Sequence, residues 1–571
     1  MKSFTSLTHK KTILNISIGV GVGFATLAGS IQAQPLPYNI GDALKETQPG
    51  QPHQPPQRAP LPAITEKEEP PLRLDSEETL LINAFVIEGA EFISEADLQA
   101  EIASYKGKNL SMADIDAVTG KLTALYQAQG YLLARAYVAK QDATGGTLTI
   151  RIVMGRYGNV SIKNDSLVKD ALLQKTFASL ESGQVVTHAE LERAMLLVYD
   201  MPGAQMPNIT IAPGETFGTS DFEIETGASK RFDGYVLGDN HGSRYTGKNR
   251  LSGAFNINSP FGIADKLSLS AMVTDDADLL NGRIAYSFPL SANGLRAEVA
   301  LAHTTYELGK EYRGLDATGK ANTFEASLSY PLIRSRDQNL YLRAGYAHKE
   351  LRDEIGIVDF VTKKDSDAAT LGADYEKWGR LFERDFYSSI SAGVSFGRLS
   401  FDDPAQKLAN QMGADTVGSY SRLNLRIAGN YAIADKLSAS LVFSAQKALN
   451  DKNLDSTEQM LISGPDGVKA YRESVMGDNG YMFNAELRYA LPPISGFNHS
   501  VGLFADIGRV YIEDGQYVLD NGTRLSDVGI GYYANYKGFI LGAQYARAIG
   551  ARPEYIDESK NRFLLQLGYV F

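Results

Sequence analysis

The sequence predicts α+β domains joined to an all-β membrane barrel: two small tandem modules followed by a 16-stranded antiparallel transmembrane β-barrel. Runs of alternating apolar and polar residues fill the second half of the chain, as in strands with one lipid-facing and one lumen-facing side. In the last run, Phe563, Leu565, Leu567 and Tyr569 share one face, while Gln566 lies on the other. Short and long connections alternate between the runs, which is typical of bacterial outer-membrane barrels.

Composition excludes several classes of protein. The 571 residues carry a net charge of −11, which argues against a general nucleic-acid binder, so we expect no nucleic acid among the partners. The absence of Cys excludes disulfides and thiolate metal sites. After the N-terminus, no window reaches the roughly 18 consecutive apolar residues of a membrane helix. If the chain spans a membrane, it therefore does so with strands.

Catalytic motifs are missing from the sequence. The seven His residues form no His-Glu-x-x-His motif, and neither a Gly-x-Ser-x-Gly elbow nor a Walker loop occurs. We therefore expect no enzyme, no cofactor and no metal. A scattered Ser and His site stays open, because barrels can host hydrolases.

The N-terminal segment predicts export from the cytoplasm. In residues 1–33, three lysines precede an apolar stretch, and a small-residue region ends at Ala33, as in a secretory signal peptide. Residues 34–79 form a proline-rich linker, with 10 of the 21 prolines between Gln34 and Pro71. Within it, Asn39–Glu46 can form a short helix that needs a partner to stay ordered. The alternative is a disordered tether throughout.

Residues 80–155 and 156–228 repeat one pattern, strand–helix–helix–strand–strand. Each module has about 75 residues, a size that can fold independently. The second strand of the first module is expected at Ala134–Ala139. The predicted helices begin at the N-cap residues Ser94, Ser111, Ser166 and Thr187.

Residues 229–571 hold the predicted barrel. Short connections such as Ser291–Gly294 separate long ones such as Ser400–Val417, and an even strand number returns both chain ends to one side. A soluble β-sandwich also alternates, but it has no need for a signal peptide and an aromatic C-terminal strand. The aromatic residues Tyr569 and Phe571 are expected to form a C-terminal assembly signal.

Three local patches carry a family resemblance. The stretch Gly238–Gly247 resembles a first barrel hairpin, and Phe504, Asp506 and Gly508 match a Phe-x-Asp-x-Gly strand motif. A long loop contains a tip similar to Val-Arg-Gly-Tyr, formed by Val468, Lys469, Ala470, Tyr471 and Arg472. With the tandem modules, these patches resemble the two-partner secretion outer-membrane transporters (TpsB type), which secrete and activate haemolysins and haemagglutinins and carry POTRA domains. The resemblance implies that the short helix plugs the barrel and that the loop tip meets the strand motif inside the lumen.

The residues themselves favour the same contact. Asp506 alternates with apolar neighbours and therefore faces the lumen, where a lone carboxylate is poorly solvated. Lys469 is the positional counterpart of the family arginine, but it lacks the bidentate fork, and Arg472 could take the role instead. Ala470 replaces the family glycine, which puts the turn in doubt if that position requires a positive φ. The charges could also be ordinary solvated ones.

The resemblance implies an outer-membrane translocator whose N-terminal domains lie in the periplasm. It would capture an unfolded secreted partner, such as a TpsA-like adhesin, cytolysin or toxin, and export it through the barrel. Outer-membrane lipid and the barrel-assembly machinery are the other expected partners. A barrel-assembly factor of the same superfamily is the alternative function, and a diffusion porin is disfavoured by the two modules.

Capture of the partner is expected at a strand edge, since an extended chain can add to an open sheet. The sequence favours the edge at Ala134–Ala139 of the first module. The nearby Leu125 and Tyr126 either form an apolar groove beside that edge or belong to the core.

Overall fold

The computed structural model describes residues 38–47, 58–66, 79–516, 518, 521–550 and 559–571. The predicted signal peptide, residues 1–33, lies outside the described residues, as does much of the proline-rich linker. The first described element is the helix α1 (Ile40–Glu46). Its N-terminus is capped reciprocally, because Asn39 accepts a hydrogen bond from Gly41 and Asp42 accepts one from the Asn39 backbone. The linker then contributes a three-residue strand, β1 (Ile64–Glu66).

The first module packs two helices on a small three-stranded sheet. Ser94 and Ser111 cap its helices, as the sequence predicts. Its core holds buried apolar residues from both helices and the sheet, including Leu98, Leu122 and Ile150. The elements are β2 (Leu80–Ile82), β3 (Ala84–Glu88), α2 (Glu95–Ile102), β4 (Lys108–Leu110), α3 (Met112–Ala128), β5 (Arg135–Tyr137) and β6 (Thr147–Val153). The sheet order is β3-β6-β5, and β2 pairs separately with β4.

The second module repeats this architecture with longer strands. Thr187 caps its second helix, but Ser166 does not begin the first. The N-cap of that helix is Lys169, three residues later. Ser166 instead donates two hydrogen bonds to the Asn164 side chain and accepts one from the Val168 backbone, which forms a turn. The elements are β7 (Arg156–Asp165), α4 (Asp170–Phe177), α5 (His188–Tyr199), β8 (Asn208–Pro213) and β9 (Thr219–Gly227).

The linker completes the sheet of the second module. β1 pairs in parallel with the edge strand β8, giving the order β1-β8-β9-β7. Ile64 packs against the core of this module, and Glu66 forms an ion pair of 2.8 Å with Arg135 of the first module. The segment after α1 is therefore anchored on the second module.

The second module docks on the short-turn end of the barrel. The carboxylate of Asp200, which follows α5, accepts two hydrogen bonds of 2.7 Å from the buried guanidinium of Arg334. Arg193 donates to the Pro331 carbonyl at 2.8 Å, and Lys169 donates through its backbone to Gly262 at 2.8 Å. A bidentate arginine pair of this kind fixes orientation as well as distance.

Sixteen antiparallel strands close into a barrel, which confirms the predicted fold class. Closure pairs the backbone of every strand with two neighbours, as a bilayer requires. A helix, α6 (Pro404–Met412), lies in a long loop, and a two-stranded hairpin, β21 (Met460–Leu461) with β22 (Met476–Gly477), lies in another. The strands are β10 (Phe232–Asp239), β11 (Arg250–Asn258), β12 (Lys266–Thr274), β13 (Leu279–Pro289), β14 (Arg296–Glu307), β15 (Ala317–Arg334), β16 (Gln338–Ile355), β17 (Phe360–Leu381), β18 (Arg384–Phe401), β19 (Gly418–Ala434), β20 (Leu437–Leu449), β21 (Met460–Leu461), β22 (Met476–Gly477), β23 (Asn479–Ala490), β24 (Asn498–Tyr511), β25 (Thr523–Tyr536), β26 (Phe539–Ala548) and β27 (Asn561–Val570).

The two faces of each strand differ as the sequence pattern indicates. On β24, Leu503 is 63% exposed on the outside, whereas Asp506 is 3% exposed on the inside. On β27, Phe563 and Leu567 are exposed and Leu564 is buried. Within the part of the chain that the structure covers, no helix is both long and apolar enough to cross a membrane.

The barrel closes where its first strand meets its last. β10 pairs with β27 from Tyr235 to Asp239, and the final residue extends this pairing because Phe571 and Gly234 exchange backbone hydrogen bonds of 3.0 and 3.3 Å. The Phe571 ring lies near Phe255 and Tyr569 on the outer surface. The C-terminal residue therefore takes part in closure directly.

Deleting Phe571 should lower the yield of closed barrel, because it removes two backbone hydrogen bonds and a ring from the closing seam. The measurement is gel mobility without heating, where the closed barrel resists detergent unfolding and migrates faster than the boiled chain. Phe571→Leu, which keeps the backbone pairing, is the matched control and should retain more of the fast band. An unchanged amount of fast band after the deletion would contradict a role for Phe571 in assembly.

Candidate functional site in the barrel lumen

The connection between β20 and β23 folds into the barrel. This inward loop, residues 450–478, buries its tip almost completely: Val468, Ala470 and Tyr471 belong to one apolar cluster with Phe504 of the wall. Buried apolar residues at a loop tip are unusual, since loops normally lie at the surface. The tip is thus packed as core rather than exposed to solvent.

The turn at the tip is held by its own backbone. Val468 donates to the Ile462 carbonyl at 2.8 Å, and Gly464 donates to the Tyr471 carbonyl at 3.0 Å. Gly467 is needed for close approach, because a Cβ there would lie 2.5 Å from the Ile462 carbonyl oxygen. Ala470 does not take a positive φ. The alanine at this position is therefore compatible with the turn.

Lys469 meets Asp506 inside the lumen. The distance from Nζ to Oδ2 is 2.8 Å, and the ammonium also lies 4.7 Å from the centre of the Phe504 ring. Asn484 donates to the second carboxylate oxygen of Asp506 at 2.7 Å and to the Gly467 carbonyl at 3.0 Å. Both oxygens of the buried carboxylate thus have partners, which a buried charge requires.

The wall holds the tip through a second carboxylate and a glycine. Asp527, directly across the sheet from Asp506, accepts a hydrogen bond of 2.6 Å from the Ala470 backbone. At Gly508, a Cβ would lie 3.0 Å from that of Ile462, so a larger residue would press on the loop. All three residues of the strand motif therefore contact the same loop. Phe504 contributes an aromatic ring, Asp506 an ion pair and Gly508 the space that Ile462 needs.

Arg472, the other candidate partner of Asp506, contacts the connection after β10. Its guanidinium donates to the carbonyls of Asn240 and Gly242 at 3.1 and 2.8 Å, in the connection after β10. The following residue, Glu473, accepts hydrogen bonds from Ser243 and Arg244 of the same connection. The stretch Gly238–Gly247 thus lies against the loop tip.

The start of the inward loop is fixed to the opposite wall by ion pairs. Glu458 pairs with Lys349 at 2.7 Å and with Arg422 at 2.9 Å, and Asp455 pairs with Lys364 at 2.7 Å. All three distances join buried or half-buried groups. The loop therefore crosses the lumen and is attached at both ends of the crossing.

The helix α1 lies inside the barrel beside this loop. Ile40 donates through its backbone to Asp353 at 2.9 Å, and Arg250 donates to the Glu46 carbonyl at 3.0 Å. The Glu46 carboxylate accepts hydrogen bonds from the Ser243 backbone and the Tyr38 hydroxyl, each at 2.8 Å. The helix is thus bonded to the wall at both of its ends.

The opposite face of α1 touches the inward loop. Ser456 donates to the Asn39 side chain at 2.9 Å, and a Cβ on Gly41 would collide with Ser456. Ile40 and Ala43 are fully buried in an apolar cluster on the wall. Burial raises the pKa of Asp42 to about 7 and lowers that of Lys45 to about 8. Seating the helix therefore costs hydration free energy at both charges.

Part of the lumen stays open beside the helix and loop. A cavity of about 820 Å³ lies there and is lined by both lumen-filling elements and by the wall. Its basic lining residues are Lys45, Arg250, Arg343, Arg422, Arg426 and Arg472. Among the described residues, no group of three or more His, Cys, Asp or Glu is placed to hold a metal ion.

The sequence patterns point to Lys469 and Asp506 but miss other residues at this site. Asp527, Asn484, Glu458 and Arg562 lie outside the recognised motifs. Asp527 could have been found, because it is a lumen-facing carboxylate on the strand next to the motif. Glu458 could not, since its partners come from strands far away in the sequence.

A closed 16-stranded barrel with two α+β modules at its short-turn end, and with a helix and a loop inside its lumen, defines a class: outer-membrane β-barrels that handle polypeptides, either by secreting them or by assembling them into the membrane.

The particular family follows from comparison of the sequence. The family model described as "Haemolysin secretion/activation protein ShlB/FhaC/HecB" matches residues 218–532, and "POTRA domain, ShlB-type" matches residues 80–155. The chain therefore belongs to the haemolysin secretion/activation protein family, the outer-membrane transporters of two-partner secretion, with POTRA domains in the periplasm. This confirms the resemblance and fits a secretion transporter better than a barrel-assembly factor.

Individual relatives are distant but cover most of the chain. The heme/hemopexin transporter protein HuxB of Haemophilus influenzae strain Rd is 26% identical over 477 residues, 82% of this chain and 83% of the relative. The outer membrane transporter CdiB of Dickeya dadantii is 23% identical over 70% of each chain. A solved structure of CdiB from Escherichia coli matches with a TM-score of 0.69 at 19% identity, covering 88% of this chain and 93% of that one, and supports the fold.

Proposed function

We propose that α1 and the inward loop keep the lumen closed at rest, and that an unfolded secreted partner displaces both during export. The observation that carries this proposal is the buried contact between Lys469 and Asp506, 2.8 Å apart, with α1 seated beside the same loop. A chain passing through the lumen needs the space that these two elements occupy. The plug role of residues 39–46 and the latch role of the loop tip both rest on this arrangement.

The buried ion pair between Lys469 and Asp506 is suited to holding the loop tip in place reversibly, which is the latch role proposed here. Bringing two charges out of water costs about as much free energy as their attraction returns, so such a pair fixes position more than it adds stability. Removing one partner leaves the other charge buried alone, which is strongly unfavourable. The tip is therefore held in one place without being held irreversibly.

The POTRA domains are proposed to capture the partner by strand addition. The edge of β8 accepts an extra strand, since the chain's own β1 occupies it. The edge of β5, which the sequence favours, is partly closed, because Thr123 accepts a hydrogen bond of 2.9 Å from the Ala136 backbone. Tyr126 is buried in the core and Leu125 packs against it, so neither residue forms an open groove.

The partner is proposed to be a secreted protein such as an adhesin, cytolysin or toxin. Relatives named as a heme/hemopexin transporter, a CdiB transporter and a hemolysin transporter support this range. The outward apolar face of the strands is proposed to contact outer-membrane lipid, and the C-terminal Tyr569 and Phe571 to be recognised by the barrel-assembly machinery. We propose that the chain acts without catalysis, cofactor or nucleic acid.

Deleting residues 38–47 should raise the single-channel conductance in planar bilayers at least about twofold, because a helix about 10 Å across leaves the lumen. Gly41→Leu should act in the same direction, since the added side chain collides with Ser456. Leu61→Ser, at an exposed linker position, is the matched control and should leave the conductance unchanged. Equal conductance of all four proteins would mean that α1 is not the plug.

Asp506→Ala should reduce secretion of the partner at least about tenfold while the barrel still assembles, because Lys469 loses its buried counter-ion. The exchange Lys469→Asp with Asp506→Lys should secrete more than either single variant, and the double-mutant cycle isolates the coupling. Arg384→Gln, which breaks an exposed pair with Asp435, is the control and should secrete normally. Normal secretion by Asp506→Ala would remove the latch from the mechanism.

A photo-crosslinker at Thr210 on β8 should react with an arrested partner chain, and more strongly when Thr65→Pro weakens the pairing of β1. The same crosslinker at Ala136 tests the edge of β5. Lys175, exposed on α4 away from both edges, is the control position and should give no product. Capture by strand addition at these two edges would be wrong if neither Thr210 nor Ala136 reacted.

A further inference from the structure

Arg562 lies on the lumen side of the last strand and contacts two loops at once. Its side chain is buried, with 5% of the residue exposed. The guanidinium donates to the carbonyls of Lys469 and Tyr471 in the loop tip at 3.2 and 2.8 Å. It also donates to the His241 carbonyl, in the connection after β10, at 3.3 Å. One side chain of β27 therefore joins the loop tip to the chain that leaves the first strand.

The same region carries an unusual continuation of the closing seam. After Asp239 and Gln566 the paired strand residues end, but Asn240 continues the contact through its backbone and its side chain. Its amide donates to the Phe563 carbonyl at 3.0 Å and accepts from the Leu565 backbone at 2.9 Å. Arg472 of the loop tip in turn donates to the Asn240 carbonyl at 3.1 Å. The outer end of the seam, the end farther from the two modules, is thus held by one backbone hydrogen bond, from Asn240 to Leu565 at 3.2 Å, and otherwise by side chains.

The seam is also shorter than its neighbours. β10 pairs with β27 over five residues, and backbone hydrogen bonds of Gly234 and Asn240 extend this to seven, whereas β10 pairs with β11 over eight and β26 pairs with β27 over nine. Fewer backbone hydrogen bonds hold these two strands together, so each side-chain contact at the outer end carries a larger share of their attachment.

We propose that Arg562 is a positioning residue that couples the seating of the loop tip to closure of the outer end of the seam between β10 and β27. Arginine suits this position because its planar fork reaches several carbonyls at once, which the point charge of lysine cannot do equally well. When the tip leaves, Arg562 loses two carbonyl acceptors and Asn240 loses its contact with Arg472. A buried guanidinium that loses part of its acceptors is less well satisfied, so the outer seam loosens as the loop moves.

The functional meaning rests on the proposed movement of the loop. Loosening the seam widens the lumen on the side where the tip was seated. Displacement of the loop tip would then help a chain to pass in two ways. It empties the space that the tip occupied, and it loosens the barrel wall at the seam between β10 and β27. Reseating of the tip would restore both.

The absence of Cys in the natural chain allows a direct test by disulfide formation. The seam is reported by Gly238→Cys with Leu567→Cys, which replaces directly paired residues near its outer end. The tip is reported by Ile462→Cys with Gly508→Cys. Their Cβ atoms would lie 3.0 Å apart and reach disulfide distance after a shift of about 0.5 Å, and the smaller Cys at position 462 reduces the pressure on the loop. An ordinary part of the wall is reported by Gly253→Cys with Ala271→Cys, a paired position between β11 and β12. Rates are measured in purified full-length protein under mild oxidation.

Arg562→Gln should slow disulfide formation at the seam and at the tip about fivefold, the effect of losing a hydrogen bond of ordinary strength, and leave the wall pair unchanged. Arg562→Lys should restore part of both rates. Arg547→Gln, exposed on the adjacent strand, is the matched control and should have no effect. Asp506→Ala, which unseats the tip without touching the seam, should slow the seam pair as well.

The coupling would be wrong if Arg562→Gln slowed only the tip pair, or if Asp506→Ala left the seam pair at its original rate. A slower wall pair would also overturn it, because the substitution would then act through general damage to the barrel. Normal secretion by Asp506→Ala together with slowed seam closure would instead remove the proposed latch function and leave the coupling in place.

Discussion

The width of the lumen is the constraint on which the rest of this structure depends. Sixteen strands enclose more space than the inward side chains of the wall can fill. The chain fills that space with α1 and the inward loop, and both bring charged groups into a confined interior. Each buried charge then needs a partner, which explains why Glu458, Asp506 and Glu46 all accept several hydrogen bonds or ion pairs.

The two lumen-filling elements depend on each other. Ser456 of the loop contacts Asn39 of the helix, and the close approach at Gly41 leaves no room for a side chain between them. The loop is also attached to both walls, through Glu458 on one side and Lys469 on the other. Movement of either element therefore exposes polar groups of the other, so release of the helix and of the loop should be linked.

Local sequence patterns were enough to predict the fold class, since period-two alternation and helix caps act over a few residues. Asn39, Ser94, Ser111 and Thr187 cap their helices in the structure. The prediction that a helix begins at Ser166 was wrong, because a serine hydroxyl that can cap a helix can also form a turn. The strand β1 was missed, as three residues carry no periodicity and their partner β8 is more than a hundred residues away.

Some residues of the candidate site are likewise predictable from the local sequence, and others are not. Lys469 and Asp506 stand out because they belong to short motifs and because a lumen-facing carboxylate needs a cation. The choice between Lys469 and Arg472 needed the fold, since only the three-dimensional path of the tip places one at Asp506 and the other at Asn240. Arg562 has no local signal at all, as its acceptors are carbonyl groups that every residue possesses.

The pairing of β1 with β8 has a consequence for how the barrel reseals. Seventeen residues, 47–63, join α1 to β1, and a segment of this length spans at most about 60 Å. A helix that leaves the lumen while β1 stays paired remains tethered near the opening, where its effective concentration is of the order of millimolar. Rebinding is then an intramolecular step whose rate does not depend on how much transporter the membrane contains. If an exported chain displaces the helix as proposed, the pore can therefore close promptly behind it.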